Sequence, residues 1–233
     1  MKLDILAIGV HPDDIELGCS GTLLKHMALW HTVGLCDLTQ WELGTRWSAE
    51  TRLAEATKAK DILGISVREN LNMADGYFQH NEENINKLVR IIRKYQPEIV
   101  LANAPQDRHP DHGRAAKLIA DACFYAWLIK IDTQQEARRP KAVYHYIQDQ
   151  NLTADFVVDI TPYMDQKIQA VLAYQSQFYN AESDEPETPI SSKEFLESVK
   201  AKNISYGRPI GAHYGEWFIA NRTLGVNNIF DLI

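Results

Sequence analysis

The chain has 233 residues, 45% of them hydrophobic, enough to bury one large α/β core and to treat residues 1–233 as a single domain. Its 24 Lys and Arg stand against 31 Asp and Glu, a net charge of −7, so a surface that tracks nucleic acid is not expected. Cys19, Cys36 and Cys123 are an odd number at unrelated spacings, which suits buried thiols in a reducing compartment better than a disulfide framework.

In chain order, residues 3–10 (LDILAIGV) read as a buried strand. The run is too short, and too soon followed by charge, to be a secretion signal. No window approaches the roughly 20 apolar residues of a membrane span, so a cytoplasmic protein with no membrane partner is expected. The polar turn GVHPDDIELG follows at 9–18, then a helix from about 17 to 30. A strand at 33–39, the loop QWELGTRW and a helix over 48–63 come next, with Gly64 as its stop. The strand at 70–73 leads to a helix over 85–95 that Pro97 ends. A strand at 98–103 precedes a second polar loop, PQDRHPDHGR at 105–114, and an apolar helix over 114–129. Strands at 142–147 and 156–160 and a helix over 163–178 follow. Residues 180–189 read as an acidic, exposed loop, 208–217 as a glycine-rich loop, and the tail 225–233 as an apolar end packed against the chain or across a subunit interface.

This alternation implies an α/β, Rossmann-like, mostly parallel sheet of order 3-2-1-4-5 plus edge strands, with helices on both faces. Strands 1 and 4 are then neighbours, and ligands bind at their carboxyl ends. Both polar loops face that crevice. Glu42, Arg46 and Asp75, in the loops after strands 2 and 3, rim the same mouth.

Assembled this way, His11, Asp14 and His112 form a two-His, one-carboxylate set, the open arrangement of catalytic zinc, with one Zn²⁺ per chain. Fe(II) suits the same donors. A metal-bound water has its pKa lowered towards 7, and Asp13 is placed to take its proton as it attacks a carbonyl. His109, three residues before His112, is assigned to the carbonyl oxygen or oxyanion, with Asp111 orienting its ring. A dinucleotide is disfavoured, because the first turn carries carboxylates where G-x-G-x-x-G would admit a pyrophosphate.

The motifs HPDDIELGCSGTL and RHPDHGRA resemble the PIG-L/LmbE-like family of zinc-dependent N-acetylglucosamine-conjugate deacetylases. DLT, ELGTR, ETRLAEA, NLNMADG, AYQSQF and YGEWF extend the likeness to its bacillithiol-biosynthesis subgroup over nearly the whole chain. The resemblance implies zinc on His11, Asp14 and His112, Asp13 as general base and His109 at the oxyanion. It further implies acetate removal from N-acetylglucosaminyl malate, a homo-oligomer that is commonly a hexamer, and contacts from Arg52 and Arg108 to an anionic sugar conjugate. Trp41 and Trp47 stand where the subgroup usually has glycine, and offer stacking area either to a sugar or to a neighbouring subunit. His213, in the glycine-rich loop, is a further candidate for the mouth, whereas His26, His31, His80 and His145 read as packing or surface residues. The alternatives are a deacetylase of another N-acetyl sugar such as a chito-oligosaccharide, a non-catalytic sugar- or metal-binding module, and a two-metal phosphoesterase, which needs more ligands than these loops offer.

Overall fold

The centre of the sheet is set by strands that are apolar on both faces. In Ile5–Gly9 (β1) alternate side chains serve opposite layers: Leu6 and Ile8 pack with one core cluster, Ile5 and Ala7 with the other. Val33–Thr39 (β2), Val67–Met73 (β3), Ile99–Asn103 (β4) and Ala142–Tyr146 (β5) join it in parallel, in the order β3-β2-β1-β4-β5. The expected order is the order found. The computed structural model, which describes residues 1–178 and 186–232, adds two antiparallel strands, Phe156–Asp159 (β6) and Gly215–Ala220 (β7). β7 lies between β5 and β6. Sequence reading leaves β7 in a loop, because it is short, opens on glycine and buries the charged Glu216.

The expected first helix is two helices, Asp14–Gly18 (α1) and Ser20–Ala28 (α2), broken at Cys19 with φ −148°. Glu216 causes the break to persist. Its carboxylate accepts from the N–H groups of Gly21 at 3.0 Å and Thr22 at 2.7 Å, capping a new helix start, and Lys167 donates to Glu216 and to the Leu17 carbonyl, each at 2.6 Å. Gly18 lies flat against Tyr146, where an added Cβ would stand 2.3 Å from the ring.

Ala49–Leu63 (α3) starts at the Ser48 cap and stops at Gly64, φ 72°. Glu82–Tyr95 (α4) carries acids in its first turn and Arg93 and Lys94 in its last, matching the helix dipole. Pro110–Tyr125 (α5) begins inside the second polar loop, four residues earlier than expected, with His109 as N-cap and Pro110 at its first position. Met164–Val171 (α6) is shorter than the expected 163–178. The following turn is held by side chains of α1 and α3: Tyr174 Oη donates to Glu16 at 3.1 Å, and the N–H and hydroxyl of Ser176 each donate to Glu55 at 2.7 Å. Lys193–Gly207 (α7) has no strong apolar stripe, because one side faces an open cleft, and sequence reading assigns it no element.

Helices α4 and α5 cover one face of the sheet through Leu88, Ile92, Leu118 and Ile119; α1 and α2 cover the other through Ile15, Leu23 and Leu24. The three cysteines are buried free thiols. Residues 180–185 of the expected acidic loop lie outside the described residues, and Pro186, Glu187 and Pro189 are exposed. The tail does not pack against its own chain: Ile229 is 76% and Phe230 69% exposed, since the chain leaves the sheet after β7, so of the expected packing the subunit-interface alternative is the one left. Among the described residues no helix is long and apolar enough to cross a membrane.

Candidate active site

Pairing of β1 with β4 brings the loops after them side by side, and Asn103 at the end of β4 ties them together. Its side chain accepts from Val10 N at 3.1 Å and donates to Asp14 Oδ2 at 3.0 Å. The same Asp14 oxygen accepts from the backbone of Val10 and His11, each at 3.0 Å. Asp14 Oδ1 accepts from Gln148 Nε2 at 2.7 Å and faces His112 Nε2 at 3.2 Å. Burial works to raise Asp14, but the charges of His112 and His11 and the hydrogen bonds of His112 and Gln148 together outweigh it and hold the carboxyl well below the usual range.

Each of the two expected ligand imidazoles has a carboxylate on its far nitrogen. His11 Nε2 lies 3.1 Å from Asp75 Oδ1, with Asp111 Oδ2 at 3.8 Å, leaving Nδ1 on the Asp14 side at 3.7 Å. His112 Nδ1 lies 2.7 Å from Asp107 Oδ2, leaving Nε2 for Asp14's side. This carboxylate–histidine pattern fixes the tautomer of a metal-binding ring. Nitrogens of His11, His109 and His112 lie within 4.8 Å of one another. Burial opposes a charge on His112, yet Asp14 and Asp107 push it up to about 10, so the pocket favours a cation at that spot. The donors present fit a divalent metal of the zinc type.

Asp13 is buried, with φ 126°, a strained value for a non-glycine residue. Gln177 Nε2 donates to its Oδ2. Burial, then the Asp14 charge, raise Asp13 well above the usual carboxylate range, with Arg52 pulling the other way. His109 Nδ1 accepts from Asp111 N at 3.3 Å, so the neutral ring carries its proton on Nε2. Burial and the neighbouring His11 and His112 lower its pKa and keep that neutral form.

A cleft with room for about 80 Å³ of water-sized space opens above these groups. His11, Asp13, Asp14, Trp41, His109 and His112 line it, and α7 forms a wall through Val199, Lys202 and Tyr206. Arg108 lies on the rim, paired with Asp149, and Lys202 donates to the carbonyls of Gln148 at 2.6 Å and Asp149 at 3.0 Å. Trp41 stacks on His11 with ring centroids 4.6 Å apart.

Several expected contacts are placed elsewhere. The Asp111 carboxylate accepts from Gly76 N at 3.0 Å and lies 3.3 Å from Arg114, so only its backbone N–H, not its carboxylate, meets the His109 ring. Asp75 does not line the cleft but holds His11, and exposed Glu42 in turn accepts from Asp75 N at 2.8 Å. Arg52 is fully buried behind the tryptophans, its guanidinium carbon 3.9 Å from the Trp47 ring centroid and 4.8 Å from that of Trp41. Arg46 is buried as well, and His213 is exposed against Tyr214. Sequence reading misses Asp107, Asn103, Gln148, Gln177 and Lys202. Asp107 stands in the loop PQDRHPDHGR and Gln177 in the segment AYQSQF; the others offer no signal before the strands are paired.

Known proteins resemble this chain in sequence and fold. The chain is 30% identical over 190 residues to the diacetylchitobiose deacetylase of Thermococcus kodakarensis, covering 75% of this chain and 70% of that one. A conserved protein of Thermus thermophilus superposes with a TM-score of 0.86 at 34% identity, covering 96% of this chain and 97% of the other. The N,N'-diacetylchitobiose deacetylase of Pyrococcus horikoshii, solved with its inhibitor, gives a TM-score of 0.81 at 26% identity over 98% and 88% of the two chains. The family model described as PIG-L, GlcNAc-PI de-N-acetylase, matches residues 6–123, which hold both histidine–aspartate loops, and the chain accordingly belongs to the PIG-L deacetylase family.

Proposed function

We propose that the protein is a metal-dependent N-deacetylase that releases acetate from an N-acetylglucosamine conjugate, with N-acetylglucosaminyl malate as the preferred substrate. The observation that carries the chemistry is the convergence of His11, Asp14 and His112, two of them oriented by carboxylates, next to the buried and unligated Asp13.

A zinc ion held by His11, Asp14 and His112 would supply an acidified water and polarise the acetamide carbonyl. Asp13 accepts the water proton on its carboxylate as oxygen bonds to the carbonyl carbon, and returns a proton to nitrogen as the C–N bond breaks. Its raised proton affinity suits that exchange. The Nε2–H of His109 is a neutral donor for the carbonyl oxygen. Arg108 and Lys202 at the end of the cleft support an anionic aglycone such as malate, and their neutral competitor is the diacetylchitobiose on which the archaeal relatives act.

The test is acetate release by chelated protein given back one equivalent of Zn²⁺, on N-acetylglucosaminyl malate, diacetylchitobiose and N-acetylglucosamine. Zinc-restored activity that favours the malate conjugate is expected. A preference for diacetylchitobiose would replace the substrate and keep the chemistry, and no release from any of them would refute the deacetylase reading.

A further inference from the structure

Gln177 is fully buried in the turn after α6 and lines the cleft beside Asp13. Its two amide atoms have different surroundings. Nε2 donates to Asp13 Oδ2, and in the ionised state that the base role requires a carboxylate only accepts, so this contact decides which end of the amide turns away. That end, Oε1, has no hydrogen-bond partner among the described residues. A buried amide oxygen without a partner is uncommon in folded proteins, and a ligand that donates to it accounts for its persistence.

The proposed substrate has such a donor. An acetamide whose carbonyl carbon is attacked beside Asp13 carries its N–H on the very next atom, in the cleft that Asp13, Gln177 and His109 all line. We propose that Gln177 Oε1 accepts the N–H of the substrate's acetamido group, so that one side chain holds both the proton-accepting carboxylate and the amide it acts on. The inference rests on the deacetylase reading above. It makes Gln177 a specificity residue as well as a substrate contact. An O-acetyl ester presents an oxygen lone pair where the amide presents N–H, and Gln177 Oε1 repels it.

The experiment compares zinc-loaded wild type, Gln177→Met and Gln177→Glu on N-acetylglucosamine and on 2-O-acetylglucose. Met keeps side-chain length without either polar atom. Its rate on the amide is expected to fall about tenfold or more beyond its fall on the ester. Glu keeps the acceptor oxygen and loses the donor to Asp13, so both rates fall together and the amide-to-ester ratio stays near that of wild type. Equal losses on the two substrates in Gln177→Met, or a ratio that also collapses in Gln177→Glu, would overturn the assignment while leaving the deacetylase reading in place. Wild type that releases no acetate from N-acetylglucosaminyl malate, diacetylchitobiose or N-acetylglucosamine would overturn both. A second measurement needs no turnover: calorimetric affinity of the metal-free protein for N-acetylglucosamine, which Gln177→Met and Gln177→Leu should weaken by a similar factor. Unchanged affinity in whichever of the two folds would count against the contact.

Discussion

Asp107 receives the Nδ1 side of His112 at 2.7 Å while its carboxylate also accepts from the backbone of Gln150 at 2.8 Å and Asp149 at 3.4 Å. One carboxylate therefore sets the angle of a candidate ligand and the position of the cleft wall. Asp107→Ala is expected to weaken zinc binding by about 10- to 100-fold. Competition with a chromophoric chelator measures this directly, and wild-type affinity in the variant would show that the contact is decorative.

Asp13→Asn keeps an oxygen to accept from Gln177 and removes the site that exchanges protons. Acetate release should fall by about 10²- to 10⁴-fold with zinc content unchanged. Activity within a factor of about ten of wild type would move the base elsewhere.

Asp37 offers a test by pH away from the metal donors. Burial raises its carboxyl from 3.8 to about 6 even though Arg68 pairs with it at 2.7 Å. Between those values the folded chain holds a proton that the unfolded chain has released. The contribution to stability is thus complete below about pH 4 and is lost as pH rises through 6. Asp37→Asn cannot titrate, yet still accepts from Arg68. Its stability should lack a downward slope of about 1.4 kcal/mol per pH unit in that window. Urea midpoints for both proteins across the window check this, and parallel curves would refute it.

Gly18→Ala forces a methyl group to within 2.3 Å of the buried Tyr146 ring. A loss of about 1–3 kcal/mol is expected from overpacking, read as a lowered thermal midpoint. An unchanged midpoint would mean that α1 shifts freely, which its bonds to Tyr174 and Arg68 through Glu16 argue against.

The central strands and both polar loops were legible because they obey local rules: apolar runs bounded by turn residues, and histidine–aspartate motifs at strand ends. Once the order 3-2-1-4-5 was read, His11, Asp14 and His112 had to meet. What stayed illegible depends on pairs distant in sequence. Asp75 looks like a rim residue until β3 sets it against His11, 64 positions away. Arg52 looks like a substrate contact until two tryptophans are seen to close over it. The end of α6 is decided by Glu16 and Glu55 on other helices, so no local signal marks it.

Residue 216 has a place in time as well as in space. β6 leaves the ribosome well before β7, yet among the described residues its one sheet neighbour is β7, so it waits unpaired for a strand made some sixty residues later. Until then Lys167 lacks its carboxylate and α2 lacks its cap. A nascent chain halted before Glu216 would carry every expected metal ligand and the side chains that orient them, but not the cap that starts α2 directly behind the first histidine–aspartate loop.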